Sequence, residues 1–181
     1  GNSALNKIVN QQKTCDPSEI LEALDAEIRM NLKQNYTENN DGMDVCLCCF
    51  YKNNKKQVQL KFAGAKRPLY ILNQNTGQLQ VIKGTRRYIG GAFSRSNSPF
   101  VTHEVELTEK DVVYLSTDGY TDQLNNKRKR LGTLKLAETL SGFTTESLPN
   151  QEKELTLLLL KHKQNEEQRD DITLIGLRAK L

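Results

Sequence analysis

Two short segments place carboxylates next to apolar strands. Asp111–Gly119 reads Asp-Val-Val-Tyr-Leu-Ser-Thr-Asp-Gly, a strand that ends in Asp118 and then a residue able to turn sharply. Residues 169–175 read Arg-Asp-Asp-Ile-Thr-Leu-Ile, with the acids at the entrance to a second apolar strand. If the two strands are neighbours, Asp118 and Asp170 converge, and converging carboxylates must take up protons or be neutralised by a cation. Hard oxygen ligands of this kind favour magnesium or manganese.

Each segment also has a plain structural explanation. Asp118-Gly119 taken alone is explained about as well by a turn, and Asp170 by a charge at a strand edge. Asp122 lies four residues after Asp118, one helical turn further along if the chain coils there, and a solvated turn acid is an equal alternative for it. The presence of both segments in one chain favours a shared site.

Composition limits the classes of protein to which the chain could belong. The 181 residues predict a single domain spanning 1–181, and 36% apolar residues are enough to build a core. The net charge of +4 comes from 26 basic and 22 acidic residues that are interleaved, so no nucleic-acid partner is indicated. No stretch is long and apolar enough for a membrane helix. Four cysteines are too few for a disulfide framework and indicate reduced thiols and a cytoplasmic protein.

The periodicity of apolar residues predicts helices at both ends of the chain and strands in the middle. Asp16-Pro17 predicts the start of an amphipathic helix that carries Ile20, Leu24, Ile28 and Leu32. The remaining predicted elements are strands at 44–51, 57–63, 68–73, 78–83, 100–107, 112–117 and 172–177, and helices within 1–12, at 133–141 and at 146–162. This order predicts an α+β fold with helices packed on antiparallel sheets.

Several ordered motifs resemble one known family along nearly the whole chain. They are residues 1–9, 41–48, 62–70, 88–91, 114–122 and 169–175, which include Tyr-Leu-Ser-Thr-Asp-Gly-Tyr-Thr-Asp and Arg-Asp-Asp-Ile-Thr-Leu-Ile. The chain resembles the SpoIIE-like branch of the metal-dependent type 2C serine/threonine protein phosphatases. The resemblance implies an antiparallel β-sandwich flanked by helices (αββα) with a two-metal site at one end of the sheets.

The resemblance also implies roles for particular residues. Asp118 corresponds to the metal ligand of the family's Ser/Thr-Asp-Gly motif, and Asp170 to the ligand of its C-terminal Asp-Asp/Asn-Ile-Thr motif. Asp122 matches the acid that helps to bind an accessory third metal. Gly119 and Asp171 would support these ligands without binding metal themselves. The implied cofactors are two or more Mn²⁺ or Mg²⁺ ions, and no catalytic residue is expected beyond the metal ligands.

One family segment has no counterpart in this sequence. Family members carry an earlier acidic ligand on a strand and an Asp-Gly-x-Gly-His-Gly-like turn. We therefore expect an N-terminally truncated phosphatase domain, inactive by itself, from a parent in which a metal-activated water hydrolyses phosphoserine or phosphothreonine. The resemblance implies an anti-sigma-factor antagonist or similar regulator as substrate and a sensor domain upstream. The alternative is a non-catalytic module with the same fold that docks a phosphorylated regulator.

Other features indicate weaker possibilities. Arg86 and Arg87 lie in a glycine-marked loop and could bind substrate phosphate, although a plain loop between strands explains them about as well. The cysteines of the Cys46–Cys49 segment are better explained as strand thiols than as zinc ligands. His162 has no paired acid or nucleophile in register. The basic run at 127–130 is explained by a solvated loop that needs no partner.

Overall fold

A computed structural model describes residues 2–12, 14–52, 57–91 and 98–179. The chain forms two compact units. The first comprises residues 1–69 and 82–107, and the second comprises residues 70–81 and 108–181. Each unit has a hydrophobic core of its own, and the residues predicted to do chemistry are divided between them.

Two helices form the α-helical part of the first unit. They are α1 (Asn2–Gln12) and α2 (Pro17–Asn31). The predicted start of α2 is confirmed, because the Asp16 carboxylate accepts hydrogen bonds from the backbone N–H groups of Ser18 and Glu19. The predicted apolar stripe is buried at Ile20 and Leu24 but ends before Leu32, which is 39% exposed. The helix therefore packs through its first three turns.

The strands of the first unit form two antiparallel sheets. The strands are β1 (Gly42–Met43), β2 (Val45–Lys52), β3 (Val58–Ala65), β6 (Ile89–Gly90) and β7 (His103–Leu107). One sheet has the order β2-β3-β7 and the other pairs β1 with β6. The strand predicted from residue 100 begins only at His103, because the Phe100 N–H donates to Glu22 instead of to a neighbouring strand, and the Thr102 hydroxyl ties the same segment to Asp16.

The second unit is a four-stranded sheet with three helices. Its strands are β4 (Leu69–Asn73), β5 (Gln78–Ile82), β8 (Asp111–Ser116) and β9 (Leu174–Arg178), in the order β5-β4-β8-β9. The helices are α3 (Gly119–Asp122), α4 (Thr133–Ser141) and α5 (Leu148–Lys163). β4 and β9 both run antiparallel to β8. The bounds of α4 are those predicted, and α5 begins where the Ser147 side chain accepts from the Asn150 N–H.

Aromatic and leucine side chains build the core of the second unit. Tyr114 on β8 and Tyr120 on α3 lie in it, with Leu155 of α5 and Leu136 and Leu140 of α4. The predicted combination of antiparallel sheets and helices is confirmed. In the described part of the chain, no helix combines the length and the apolar character that a bilayer crossing demands.

Candidate functional site

The buried strand β8 delivers Asp118 to the end of the sheet in the second unit. Val112, Val113 and Tyr114 are at most 1% exposed, so the strand is fixed on both faces. The chain leaves β8 at Ser116 and coils directly into the single turn of α3. The half-buried Asp118 begins this turn, and its carbonyl accepts hydrogen bonds from the Asp122 N–H at 2.8 Å and the Thr121 hydroxyl at 3.0 Å.

The register of β8 and β9 brings the second acidic segment beside the first. Ser116 pairs with Leu174 at the end of the ladder. Beyond that pair, the Thr117 N–H donates to the Thr173 carbonyl at 3.0 Å, and the Thr117 hydroxyl donates to the Asp171 carbonyl at 3.0 Å. The two predicted motifs are therefore neighbours, as their positions beside apolar strands suggested.

Gly119 is required at this junction for a steric reason. A Cβ atom added there would lie 2.4 Å from the Asp171 carbonyl oxygen, far inside van der Waals contact. Its φ is not in the left-handed region, so the sharp turn expected from the sequence is not what demands glycine. Glycine allows the backbone of one acidic loop to touch the backbone of the other.

The carboxylates of the second loop face solvent. Asp170 and Asp171 are both exposed, and the Asp170 carboxylate accepts a hydrogen bond from the Asp171 N–H at 2.7 Å. Asp122 is also exposed and pairs with Arg130 at 3.0 Å. An exposed ion pair of this kind is weak and can open for another cation. The accessory-metal role of Asp122 stays a prediction.

Two buried tyrosines tie β8 and the turn after Asp118 to α5, and sequence reasoning did not single them out. The Tyr120 hydroxyl donates to the Leu155 carbonyl at 2.8 Å, and the Tyr114 hydroxyl donates to Gln151 Oε1 at 2.8 Å. Burial raises the pKa of Tyr120 to about 12, so its hydroxyl remains a donor at neutral pH. The only signal in the sequence was that Tyr120 directly follows Asp118-Gly119.

Carboxylates are suitable ligands for a hard divalent cation, but too few of them lie together in the described part of the chain. Among the residues that the structure describes, no group of three or more His, Cys, Asp or Glu side chains lies close enough to hold a metal ion. Magnesium and manganese sites usually combine several oxygen ligands with bound waters. Asp118 and Asp170 can therefore supply only part of a ligand set, and no catalytic step follows from these residues alone.

Arg87, predicted to bind substrate, forms buried contacts in the first unit. Its guanidinium contacts Asp25 at 2.6 Å and Glu22 at 3.1 Å, and lies 4.4 Å from the centre of the Phe100 ring. These contacts fasten the loop after β5 to α2. Arg86 is exposed and has no ion-pair partner among the described residues. Contact of either arginine with a substrate stays a prediction.

Asp25 is the centre of this network. It is 6% exposed and accepts from Arg29 at 3.0 Å, from Arg87 at 2.6 Å and from the Gly90 N–H at 2.6 Å. Burial by itself would raise the pKa of Asp25, but the hydrogen bonds from Arg29, Gly90 and Arg87 outweigh it and lower the pKa. Sequence reasoning missed Asp25 because it occupies an ordinary helical position, and two of its three partners, Arg87 and Gly90, are distant in sequence.

Comparison with solved structures gives strong matches over nearly the whole chain. The SiaA-PP2C domain of Pseudomonas aeruginosa matches with a TM-score of 0.81 and 30% identity, over 98% of this chain and 67% of that one. The PP2C phosphatase domain of the cell fate determinant SpoIIE from Bacillus subtilis, with a fragment of its regulatory domain, matches at 0.70 and 14% identity, over 98% and 47%. A manganese-presoaked structure of the SpoIIE phosphatase domain matches at 0.56 and 13% identity, over 98% and 72%.

Sequence comparison agrees with the structural matches. No curated protein matches the chain significantly. The profile of the family Stage II sporulation protein E (SpoIIE), by contrast, matches residues 2–180. With the fold, the two adjacent acidic motifs and this match in agreement, the chain belongs to the SpoIIE family and has the fold of a PP2C-type phosphatase domain.

Proposed function

We propose that the chain is the larger part of a metal-dependent protein serine/threonine phosphatase domain, in which Asp118 and Asp170 are metal ligands. The observation that carries the proposal is the contact between the two acidic loops, where Gly119 meets the Asp171 carbonyl and Thr117 bonds to it. Such a contact brings two carboxylate-bearing loops together, and gathered carboxylates are an arrangement that a divalent cation stabilises. Membership of a phosphatase family supports the same conclusion.

The metal site needs donors beyond the described residues. Two carboxylates cannot hold a pair of divalent ions against hydration. We infer that the other ligands come from a segment preceding residue 1 in the parent protein, so the 181-residue chain by itself is inactive or nearly so. In this proposal Gly119 and Asp171 shape the loops, Asp122 contributes to an accessory ion, and the ions are Mn²⁺ or Mg²⁺.

The proposed substrate is a phosphoserine or phosphothreonine of a regulatory protein, such as an anti-sigma-factor antagonist. The relatives with solved structures include a regulatory component of a secretion system and a chain that joins RsbU and RsbW domains. Phosphatase domains of this kind act within signalling systems, which supports a protein substrate, an upstream sensor domain and a cytoplasmic location.

Manganese titration by calorimetry tests the proposal. We would compare the 181-residue chain with a form extended upstream by about 60 residues of the parent gene, a length suggested by the usual size of a domain. We expect tight binding and phosphopeptide hydrolysis only in the extended form. Asp118→Asn and Asp170→Asn should each lower its activity by at least about 100-fold, since even residues that merely support metal ligands contribute 10- to 100-fold. Turnover by the 181-residue chain would contradict the split site.

A second candidate is a non-catalytic module that docks a phosphorylated regulator. The observation that favours it is that the described residues contain no cluster of three or more metal-ligating side chains. This function would persist without metal. Absence of manganese binding in both forms, together with metal-independent binding of a phosphopeptide, would replace the phosphatase proposal with this one.

A further inference from the structure

The segment between α3 and α4 is an ordered hairpin that presents four consecutive cations, which we call the basic hairpin (residues 123–131). Lys127, Arg128, Lys129 and Arg130 are all exposed. Leu124 and Arg130 form an antiparallel bridge, and the Leu131 N–H donates to the Gln123 carbonyl at 3.0 Å. The buried Leu131 anchors the end of the hairpin.

Side chains as well as backbone hold the turn of the basic hairpin. The Asn125 side-chain oxygen accepts from the N–H groups of Lys127 and Lys129, both at 3.0 Å. His162 of α5 places its Nε2 atom 3.1 Å from the carbonyl oxygens of both Gln123 and Lys129. Carbonyl oxygens only accept, so these contacts are hydrogen bonds in the tautomer that carries its hydrogen on Nε2. The cations are therefore displayed by a fixed scaffold, which lowers the entropy lost when a partner binds.

The contact with His162 extends the positive surface onto α5. Lys161 and Lys163 flank His162 in the last turn of that helix, where cations also complement the helix dipole. Among the described residues, Lys127, Arg128 and Lys129 have no ion-pair partner, and Arg130 pairs with Asp122. The loop after α5 carries Glu166 and Glu167, and it reaches the hairpin where the Glu167 carbonyl accepts from the Gln123 side chain. An acidic loop therefore lies next to the hairpin.

The position of the basic hairpin ties it to the proposed active site. It begins directly after α3, the turn that starts at Asp118, and Arg130 contacts Asp122 within that turn. The hairpin therefore lies next to the turn that begins at Asp118, where residues flanking a phosphorylated residue bound at Asp118 can reach it. Single-stranded nucleic acid is a poorer fit, because residues 123–131 include no aromatic side chain on which a base could stack.

We propose that the basic hairpin binds acidic residues flanking the phosphorylated residue of the substrate protein, and so selects acidic phosphosites. The inference rests on the proposed function for the identity of the substrate, but the binding it describes needs neither metal nor turnover. Exposed charge pairs are individually weak, and several acting together on a fixed scaffold give selectivity and faster encounter.

Peptide binding to the 181-residue chain tests the inference without catalysis. The probe is a fluorescent phosphoserine peptide with glutamates on both sides of the phosphoserine, and its comparator has glutamine at those positions. We expect tighter binding of the acidic peptide, with a preference that shrinks as salt is raised. Lys127→Gln, Arg128→Asn and Lys129→Gln combined should weaken binding of the acidic peptide by roughly 3- to 100-fold and leave the glutamine peptide nearly unaffected.

A matched variant controls for net charge. Lys110, Lys153 and Arg178 are exposed cations outside the basic hairpin, and replacing all three with glutamine removes the same charge. This control should retain the preference for the acidic peptide. Arg128 has a φ of 56°, which asparagine tolerates better than most residues, so the hairpin variant should keep its melting temperature.

Three results would overturn the inference. The first is equal affinity for the two peptides, and the second is an equal loss of affinity in the hairpin variant and the charge-matched control. The third is tighter binding of single-stranded RNA or phosphatidylserine vesicles through the same cations. Failure of the phosphatase proposal looks different: the extended form would lack turnover while the hairpin-dependent preference for the acidic peptide remained.

Discussion

Asp25 in the first unit and Asp170 in the second are both acids whose carboxylates bond to backbone N–H groups, but their surroundings differ. Asp25 is buried and receives two arginines in addition to the Gly90 N–H. Asp170 is exposed, accepts from the neighbouring Asp171 N–H, and has no cationic partner among the described residues. A carboxylate neutralised inside the protein stabilises the fold, whereas an exposed carboxylate such as that of Asp170 is available to an external cation.

Removing the buried acid should have the largest effect on stability. Asp25→Asn leaves the Arg87 guanidinium, whose side chain is 11% exposed, with Glu22 as its remaining carboxylate partner. We expect the free energy of unfolding to fall by about 3 kcal/mol. Urea unfolding followed by circular dichroism measures it, with Asp170→Asn as the matched control, for which we expect a change of at most about 0.5 kcal/mol. Equal losses of stability in Asp25→Asn and Asp170→Asn would show that the two carboxylates do not differ in their contribution to the fold.

Adding one methyl group at the junction of the acidic loops should have the next largest effect. Gly119→Ala places a carbon 2.4 Å from the Asp171 carbonyl oxygen, so one loop must move. We expect a destabilisation of about 1 to 3 kcal/mol, measured by thermal melting. Gly142→Ala is the control, because this glycine at the C-terminal cap of α4 has a right-handed φ of −74° and would have its nearest contact at 3.3 Å. It should change stability by less than about 1 kcal/mol. An unchanged melting temperature for Gly119→Ala would show that the loops are not in contact.

Acid should weaken the first unit through Asp25. Its pKa lies below the ordinary value of 3.8 in the folded protein, so the unfolded chain binds the proton more tightly. The contribution of Asp25 to stability is therefore complete above about pH 4 and is lost as the pH falls through the folded-state pKa. Unfolding measured from neutral pH down to about pH 3 should show a steeper loss for the native sequence than for Asp25→Asn. Parallel pH profiles would contradict this assignment.

The exposed pair of the second unit should have the smallest effect. Arg130→Gln removes an ion pair whose two side chains are 67% and 46% exposed. Solvent and salt screen such pairs, so we expect a change of no more than about 0.5 kcal/mol in chemical denaturation. Arg87→Gln is the comparison variant, because the Arg87 guanidinium is buried against Asp25. Its loss should lower the free energy of unfolding several times more. Equal losses of stability in Arg130→Gln and Arg87→Gln would show that the exposed ion pair stabilises the fold as much as the buried one.

Local signals in the sequence accounted for most of the regular structure. Asp16-Pro17 marked the start of α2, and the apolar run after Asp111 marked β8. The two-residue strands β1 and β6 were not predicted, since Gly42 pairs with Gly90 across a large sequence separation and neither segment has a periodic pattern. Pairing between segments this far apart depends on tertiary packing, which cannot be predicted from a short stretch of sequence.

The acidic residues of the candidate site could be predicted from the sequence, but the residues that hold the neighbouring loops in place could not. Asp118 and Asp170 stood beside apolar strands, and pairing of those strands brought their loops together. The supporting Tyr120 and His162 bond to carbonyl oxygens of residues 35 and 39 positions away, so their partners depend on the packing of α5. For Arg87, the glycine-marked loop suggested a phosphate contact, which stays a prediction, and the pairing with α2 was not foreseen.

The bond from Thr117 to Asp171 has a consequence for how the protein folds. These residues are 54 positions apart, and three helices, α3, α4 and α5, lie between them in the chain. Closing so long a loop costs entropy that only the assembled core can offset. The paired acidic loops should accordingly be among the last parts of the second unit to form during folding, and the first to lose hydrogen-exchange protection when it opens.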